Sequence, residues 1–364
     1  MIETIQVRLK PHPYRIHVGK NALKYLPILI KNTKIGSDAV VITTPRIWTL
    51  HGKKIKQALI KGCLNVLTLT IPDSERSKNA RLAFRLIEKI TKFDRKRKLF
   101  LVAFGGGVVG DLTGFIAAIY KRGTPYIQIP TTLLAQIDSA IGGKTAIDTP
   151  FGKNLVGAFY QPYFVLSDTS LLDTLPKEQL LNGLSEAVKY AIIKDPRLFT
   201  FLEKNYQKIL MCDPAALNHL ILQCASIKAR VVGLDEFDKK GIRMILNFGH
   251  TIGHAIEAAS HFRISHGDAV SIGMVCATKI SNRLGLLAKK DVLTIVNLIK
   301  KIRLPTAIQG LKEKTILKAI EYDKKFTKMN RFVLIEKIGK TKIVENVPQD
   351  LVRSVLAEQM TNAK

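Results

Sequence analysis

The sequence predicts an α/β domain, Rossmann-like with a mostly parallel sheet, followed by an all-α domain. Three observations carry this expectation. Short apolar, β-branched runs alternate with segments of helical spacing through the first half of the chain. A glycine-rich turn follows directly on a fully apolar strand segment at Leu99–Phe104. Beyond about residue 170, segments of period near 3.6 dominate and strand signals nearly vanish.

Taken in order, Met1 to Lys10 alternates polar and apolar residues as a strand does, and it lacks the apolar core and cleavage site of a signal peptide. Val40–Thr43 and Leu64–Ile71 are further strand candidates, and Ala80–Ile90 has helical spacing. Leu99–Phe104 and Tyr126–Ile129 read as buried strands, the second closed by Pro130. In the second half, Glu178–Ile193, Pro214–Val232, Arg243–Ser260, Asp268–Leu286 and Lys290–Ile302 read as helices, with Phe332–Glu336 an isolated strand candidate. The turn-rich stretch Ser167–Pro176 marks the boundary, giving domains over 1–172 and 173–364.

Composition narrows the function classes. A chain of 364 residues with 46% apolar and 24% charged residues is an ordinary globular protein, long enough for two cores. The apolar stretch Leu99–Tyr120 carries Asp111 and several glycines, which marks it as buried core; no membrane partner is expected. Cys63, Cys212, Cys224 and Cys276 are scattered without a Cys-x-x-Cys pair, as in reduced thiols of a cytoplasmic protein. The net charge of +28 is spread along the chain, and Arg95–Lys98 is the only dense basic run. With no nucleic-acid-binding motif, the charge reads as a lysine-rich surface that steers anions, with no nucleic acid as partner.

Several segments carry chemistry. Gly105, Gly107 and Gly110 match G-x-G-x-x-G between a strand and a helix. The acidic residue expected about 20 positions on is missing. A phosphate or dinucleotide contact and a plain tight turn therefore both remain open. Asn247, His250, His254 and Glu257 are spaced by three, four and three residues within an apolar segment, so one helix would align them as a polar stripe. Polar groups so placed must be paired or bound to something. With His266 close by, a metal is the natural occupant. Spacing alone favours His250, His254 and His266 as ligands; an acidic ligand could come instead from Leu184–Tyr190, where Glu186, Lys189 and Tyr190 share a face. The glycine-rich turns around Lys144 and around Lys153 and Asn154 suit an anion, with Asp138 nearby.

Together these segments resemble the 3-dehydroquinate synthase family of sugar-phosphate cyclases. The matching motifs are Pro72–Lys78, Gly105–Gly114, Pro130–Ser139, Gly142–Lys144, Gly152–Asn154, Gly157–Pro162, Glu186 with Lys189, Asn247–His254 and His266-Gly. The likeness runs from about residue 70 to 285 and returns at Asp323–Lys325. It implies a dehydroquinate synthase-like fold, with an NAD-binding domain followed by a metal- and substrate-binding one. It implies conversion of 3-deoxy-D-arabino-heptulosonate 7-phosphate to 3-dehydroquinate and phosphate, a step of the shikimate pathway. Transient oxidation by NAD, β-elimination of phosphate, re-reduction and aldol closure make up the reaction in that family.

By matching motif the resemblance implies Glu186, His250 and His266 as ligands of one divalent ion, zinc or cobalt, and displaces His254 to a polar active-site role. Lys144, Asn154, Arg122 and Lys324 (or Lys325) are implied for the substrate phosphate, with Arg122 reaching it from the neighbouring subunit of a homodimer. Lys228, Arg243 and His254 are implied for the substrate carboxylate end, and Asp138, Lys189 and Asn247 for the ring hydroxyls. For NAD it implies Asp73, Ser74, Glu75, Arg76, Ser77 and Lys78; Gly107, Val108, Val109, Gly110 and Asp111; Thr131 and Thr132; Lys144 and Lys153; and Leu171, Leu172, Asp173 and Thr174. Ser74 stands where the family often has glycine, and Glu236–Gly241 is one residue longer than usual. The alternatives are a related sugar-phosphate cyclase with another substrate and a metal-dependent polyol dehydrogenase. Lys228 and Arg243 favour a carboxylate-bearing substrate over a neutral sugar, because two cations would otherwise lack a partner.

Overall fold

The structure, a computed structural model, describes residues 2–63, 65–95, 98–327 and 331–360, and for 322–327 the backbone alone. The chain forms two compact units: Met1–Pro176 with Pro214–Phe237, and Lys177–Asp213 with Asp238–Lys364.

The first unit is built on strands β1 (Glu3–Val7), β2 (Tyr14–Gly19), β3 (Asp38–Thr43), β4 (Asn65–Thr70), β5 (Leu99–Gly105), β6 (Tyr126–Pro130), β7 (Lys144–Thr149), β8 (Gly152–Phe159) and β9 (Phe164–Asp168). Seven of them form one sheet in the order β1-β2-β9-β6-β5-β3-β4, parallel throughout except for the β1–β2 pair. A parallel sheet with both faces covered needs near-continuous apolar strands, and β3 and β5 are buried at every residue. Successive side chains point to opposite faces. Val41, Phe100, Val102 and Phe104 therefore pack with Leu26, Ile30, Ile55 and Leu59, from the helices Leu26–Thr33 and Pro45–Ile60. Val40, Ile42, Leu101 and Ala103 pack on the other face with Ala83, Leu86, Leu112 and Ile116, from the helices Ala80–Phe93 and Gly107–Ile119. The apolar stretch Leu99–Tyr120 is thus a core strand and helix, and no helix among the described residues is long and apolar enough to cross a membrane.

The helix Pro214–Leu234 groups with this unit, packing on β1 and β2, so the units are not the contiguous halves 1–172 and 173–364. Its periodicity predicts a helix but says nothing of which core receives its apolar face. Four strands carried no clear sequence signal: β2, β9, and both strands of the antiparallel β7–β8 hairpin. In β8 nearly every residue is exposed or half-buried, so no alternation marks it.

The second unit is helical, with Lys177–Lys194, Pro196–Leu210, His250–Ala259, His266–Arg283, Lys289–Lys301, Glu313–Thr327 and Gln349–Gln359. One hairpin departs from the all-α expectation: β10 (Arg331–Lys337) pairs antiparallel with β11 (Lys340–Glu345). The Phe332–Glu336 candidate gains its partner there, in a strand too polar to show in the sequence.

The expected helix Arg243–Ser260 is broken. A 3-10 turn covers Ile242–Asn247, Gly249 adopts φ 79°, and the α-helix begins at His250. Glycine supplies that left-handed backbone without steric cost. The break lets the helices His250–Ala259 and His266–Arg283 cross closely. A Cβ on Gly273 would overlap the carbonyl oxygen of Gly249 and come within 2.9 Å of the nitrogen of Gly253, while one on Gly253 would meet the Val270 backbone at 3.1 Å. Adding a methyl group at such a contact forces the helices apart, at a cost of about 1–3 kcal/mol. Gly273→Ala is expected to lower the unfolding free energy by that much, read as a lower urea midpoint, and to weaken metal binding by the holoprotein. An unchanged midpoint would show that the crossing is not tight.

Candidate functional site

The close crossing places His250 and His266 beside Glu186, which projects from the helix Lys177–Lys194 and has no solvent exposure. Glu186 Oε1 lies 3.4 Å from His250 Nε2 and 3.5 Å from His266 Nε2. Ligands at about 2.1 Å from a tetrahedral ion stand about 3.4 Å apart, so these spacings fit a zinc-sized cation. Lys189, buried one turn on, pairs with Glu186 Oε2. Neither carboxylate oxygen accepts a well-formed hydrogen bond among the described residues, so the donor set has unsatisfied capacity suited to an ion.

The remaining imidazole nitrogens are held elsewhere. His250 Nδ1 lies 3.1 Å from the carbonyl oxygen of Phe248, and His266 Nδ1 lies 3.2 Å from Glu257 Oε2. A histidine that donates from Nδ1 presents the lone pair of Nε2 inward, as a metal ligand requires. The donor atoms of Glu186, His250 and His266 all lie within 4.8 Å of one another, and a second such group joins His254, Glu257 and His266. Because Glu257 occupies His266 Nδ1, the first group is the better metal site. His254 is exposed, its ring centroid 5.2 Å from that of His250. The carboxylate-and-two-imidazole set drawn from the resemblance is thus the one the geometry favours over the three-histidine set.

Charge balance in the cluster follows. Burial works against the Glu186 carboxylate, but Lys189 and His250 more than reverse it and hold its pKa well below the usual range. Burial would likewise lower His266, yet the Glu186 and Glu257 carboxylates beside it raise its pKa to about 9. Arg243 is buried and Asn247 exposed, both on the 3-10 turn, so Asn247 does not continue the stripe of His254 and Glu257 along one helix.

In the first unit, the segments expected to meet NAD each follow the carboxyl end of a parallel strand: Asp73–Lys78 after β4, Gly107–Asp111 after β5, Thr131 and Thr132 after β6, and Leu171–Thr174 after β9. Ligands of open α/β sheets bind at this edge. The helix Gly107–Ile119 starts from Gly106 with no side-chain cap, leaving its first N–H groups for a phosphate. Thr131 is buried with its hydroxyl unpartnered, and its N–H donates to the Gly105 carbonyl at 3.0 Å. These features fit a dinucleotide.

Lys78 ties the segments together. Its buried Nζ lies 2.8 Å from Asp111 Oδ2, 2.5 Å from Asn154 Oδ1 and 3.5 Å from Glu75 Oε1. Burial works against its charge, but Asp111 and Glu75 more than offset this and raise its pKa. Asn154, expected at the substrate phosphate, thus shares a partner with the nucleotide set. Of that set, Asp73, Ser74, Glu75 and Arg76 are exposed, Ser77 is buried, and Val108 and Val109 lie in the first turn of the glycine helix. Leu171 and Leu172 are core, Asp173 is exposed, and Thr174 bonds His51 Nε2 at 2.8 Å. Lys153 lies 3.9 Å from Glu75, while Lys144 and Arg122 are exposed. The side chains of Lys324 and Lys325 lie outside the described residues.

One inference from the sequence needs correction. Lys228 does not lack a partner: it pairs with the Asp138 carboxylate and donates to the Asp138 backbone carbonyl at 2.8 Å. Its charge is balanced within the fold, so it does not by itself demand a carboxylate-bearing substrate. Glu257, whose role sequence reasoning left unassigned, stands out through its contact with His266. Its place in the polar stripe was the available signal. Replacing such an outer partner typically costs about 10–100-fold in metal affinity. Glu257→Gln is therefore expected to weaken zinc binding by that factor in a chelator competition, while His250→Ala and His266→Ala each abolish stoichiometric binding. Full affinity in Glu257→Gln would remove it from the site.

Comparison with known proteins agrees with this geometry. Residues 68–182 match the family model described as 3-dehydroquinate synthase N-terminal, and residues 183–326 the one described as 3-dehydroquinate synthase C-terminal. A 3-dehydroquinate synthase of Thermoanaerobacter pseudethanolicus is 41% identical over 355 residues, which is 97% of this chain and 99% of the relative. Among solved structures, a 2-deoxy-scyllo-inosose synthase complexed with carbaglucose-6-phosphate, NAD+ and Co2+ superposes with a TM-score of 0.90 at 29% identity, covering 98% of this chain and 100% of that one. A 2-epi-5-epi-valiolone synthase from Streptomyces hygroscopicus with NAD+ and Zn2+ bound has a TM-score of 0.87 at 25% identity, covering 96% of this chain and 98% of its own. The chain belongs to the 3-dehydroquinate synthase family.

Proposed function

We propose that this protein is a 3-dehydroquinate synthase, a carbon–oxygen lyase that converts 3-deoxy-D-arabino-heptulosonate 7-phosphate to 3-dehydroquinate and phosphate. The observation that carries this reading is the match of 41% identity along nearly the whole chain to a 3-dehydroquinate synthase, against 29% and 25% for cyclases with other products. NAD and one divalent ion, zinc or cobalt, are the cofactors. Cyclase structures bound to NAD+ with Co2+ or Zn2+ support this, as does the Glu186–His250–His266 cluster.

When bound, NAD+ would supply reversible hydride acceptance and the divalent ion Lewis acidity. The chain's own residues bind, orient and move protons around that chemistry. Glu186, His250 and His266 would hold the ion, with Lys189 beside it to meet a ring hydroxyl. Asp138 and Asn247 would orient the other hydroxyls. Lys144, Asn154 and Arg122 would hold the phosphate until it leaves, and Lys324 would join them. Arg243 and His254 would take the carboxylate end, joined by Lys228 if it exchanges Asp138 for the substrate. The glycine turn, Thr131, Thr132, Lys153 and the segments Asp73–Lys78 and Leu171–Thr174 would seat the dinucleotide.

A homodimer fits this reading. Phe151, Leu155, Val156 and Phe159 are exposed on or beside the β7–β8 hairpin, and an outward apolar group of this kind suits burial by a second copy. The Arg122 turn lies next to it, since Tyr160, which follows β8, donates to the Thr124 carbonyl at 3.0 Å. A cytoplasmic location accords with the four cysteines, all free thiols in the fold.

Phosphate release from 3-deoxy-D-arabino-heptulosonate 7-phosphate is expected to require both NAD+ and metal, to yield 3-dehydroquinate, and to leave no net NADH. Chelation should abolish it and added zinc or cobalt restore it. Release from glucose 6-phosphate or sedoheptulose 7-phosphate, with none from the heptulosonate, would make the protein a different cyclase of the same fold.

A further inference from the structure

The helix Gly107–Ile119 ends in an unusual turn. Lys121 and Arg122, neither of them glycine, have φ of 51° and 62°, and Gly123 follows at 129°. Successive non-glycine residues in the left-handed region are disfavoured and persist only where the surroundings enforce them. Here the enforcement comes from a second element. Asp94, at the carboxyl end of the helix Ala80–Phe93, accepts from the Tyr120 hydroxyl at 3.0 Å, and its carboxylate lies 2.6 Å from Lys121 Nζ. That carboxylate is only 4% exposed, whereas the Lys121 side chain is 59% exposed, so the acid is the fixed partner and the lysine is drawn to it. On its other side the turn is pinned by Gly123 N–H and Thr124 hydroxyl donations to the Tyr120 carbonyl, at 3.0 and 2.9 Å. The residue left between these ties is Arg122, which is exposed.

We propose that Asp94 is the positioning residue for Arg122: by gripping Tyr120 and Lys121 on one side of the turn, it sets the backbone from which Arg122 reaches the substrate phosphate. The proposal rests on the assignment of Arg122 to the phosphate, and its test separates the two. A guanidinium binds a phosphate through a planar fork, so the direction from which it arrives decides how many of its hydrogen bonds form. Tyr120 and Lys121 touch no phosphate in this account. Their function is to let Asp94 hold a backbone that Arg122 alone would not maintain.

The experiment uses the NAD- and metal-loaded enzyme, with KM for the heptulosonate phosphate and product inhibition by inorganic phosphate as readouts. NAD+ affinity and the thermal midpoint serve as controls. Arg122→Ala is expected to raise both KM and the phosphate inhibition constant. Asp94→Ala should raise both on the order of tenfold with kcat changed less, as for lost orientation of a binding group. Asp94→Asn, which keeps an acceptor for Tyr120 but loses the charge, should fall between. Adding Asp94→Ala to Arg122→Ala should change nothing further, because residues acting through one another are not additive. If Asp94→Ala lowers the thermal midpoint sharply, Tyr120→Phe is read instead, and the same non-additivity with Arg122→Ala is expected. The proposal is overturned if Arg122→Ala weakens phosphate while the Asp94 and Tyr120 variants do not, or if their effects multiply. If Arg122→Ala leaves phosphate binding unchanged, the assignment of Arg122 itself fails.

Discussion

A carboxylate with no solvent access is the constraint around which the second unit is arranged. Glu186 cannot be buried as an unpaired charge without a large desolvation cost, and the fold meets that cost with Lys189 one turn along and two imidazoles from other helices. Three helices are therefore bound to one point. The crossing of two of them must be close enough for both histidines to arrive, which is why Gly249, Gly253 and Gly273 leave no room for side chains. The same arrangement explains the division of labour among the polar residues. Phe248 and Glu257 take the outer nitrogens of His250 and His266, so the inner nitrogens converge on the acid.

The first unit solves a different problem, that of collecting short segments distant in sequence at one edge. A parallel sheet brings the carboxyl ends of its strands to the same side, and each of the four segments expected to meet the nucleotide follows one of those ends. The glycine turn is the most visible in sequence, but it is not sufficient by itself. Lys78 joins Asp111, Glu75 and Asn154 from elements that no local pattern connects.

What is legible in the sequence and what is not divide along physical lines. Buried strands such as Leu99–Phe104 were legible because burial on both faces demands an unbroken apolar run. The β8 and β11 strands were not, because their residues are largely exposed and carry no such demand. The period is helical on both sides of Gly249, so the sequence predicts one long helix over Arg243–Ser260, and only the backbone angle there reveals the break. Three histidines at suitable spacing pointed to a metal, yet spacing could not say that Glu186 arrives from another helix while His254 stays outside. Lys228 looked like an uncompensated cation for a related reason: its partner, Asp138, is 90 positions away.

By itself the sequence determined the order of elements, the alternation that builds a doubly covered parallel sheet, the helical second half and the segments in which the chemistry lies. These follow from local rules, since periodicity, glycine and proline act over a few residues. Tertiary structure alone decided which core receives the helix Pro214–Leu234, which imidazole nitrogens face Glu186, which cation pairs with Asp138, and how Asp94 holds the turn bearing Arg122. Each of those is a contact between residues far apart in the chain, set by how apolar faces and buried charges find partners in three dimensions, and no local pattern encodes it.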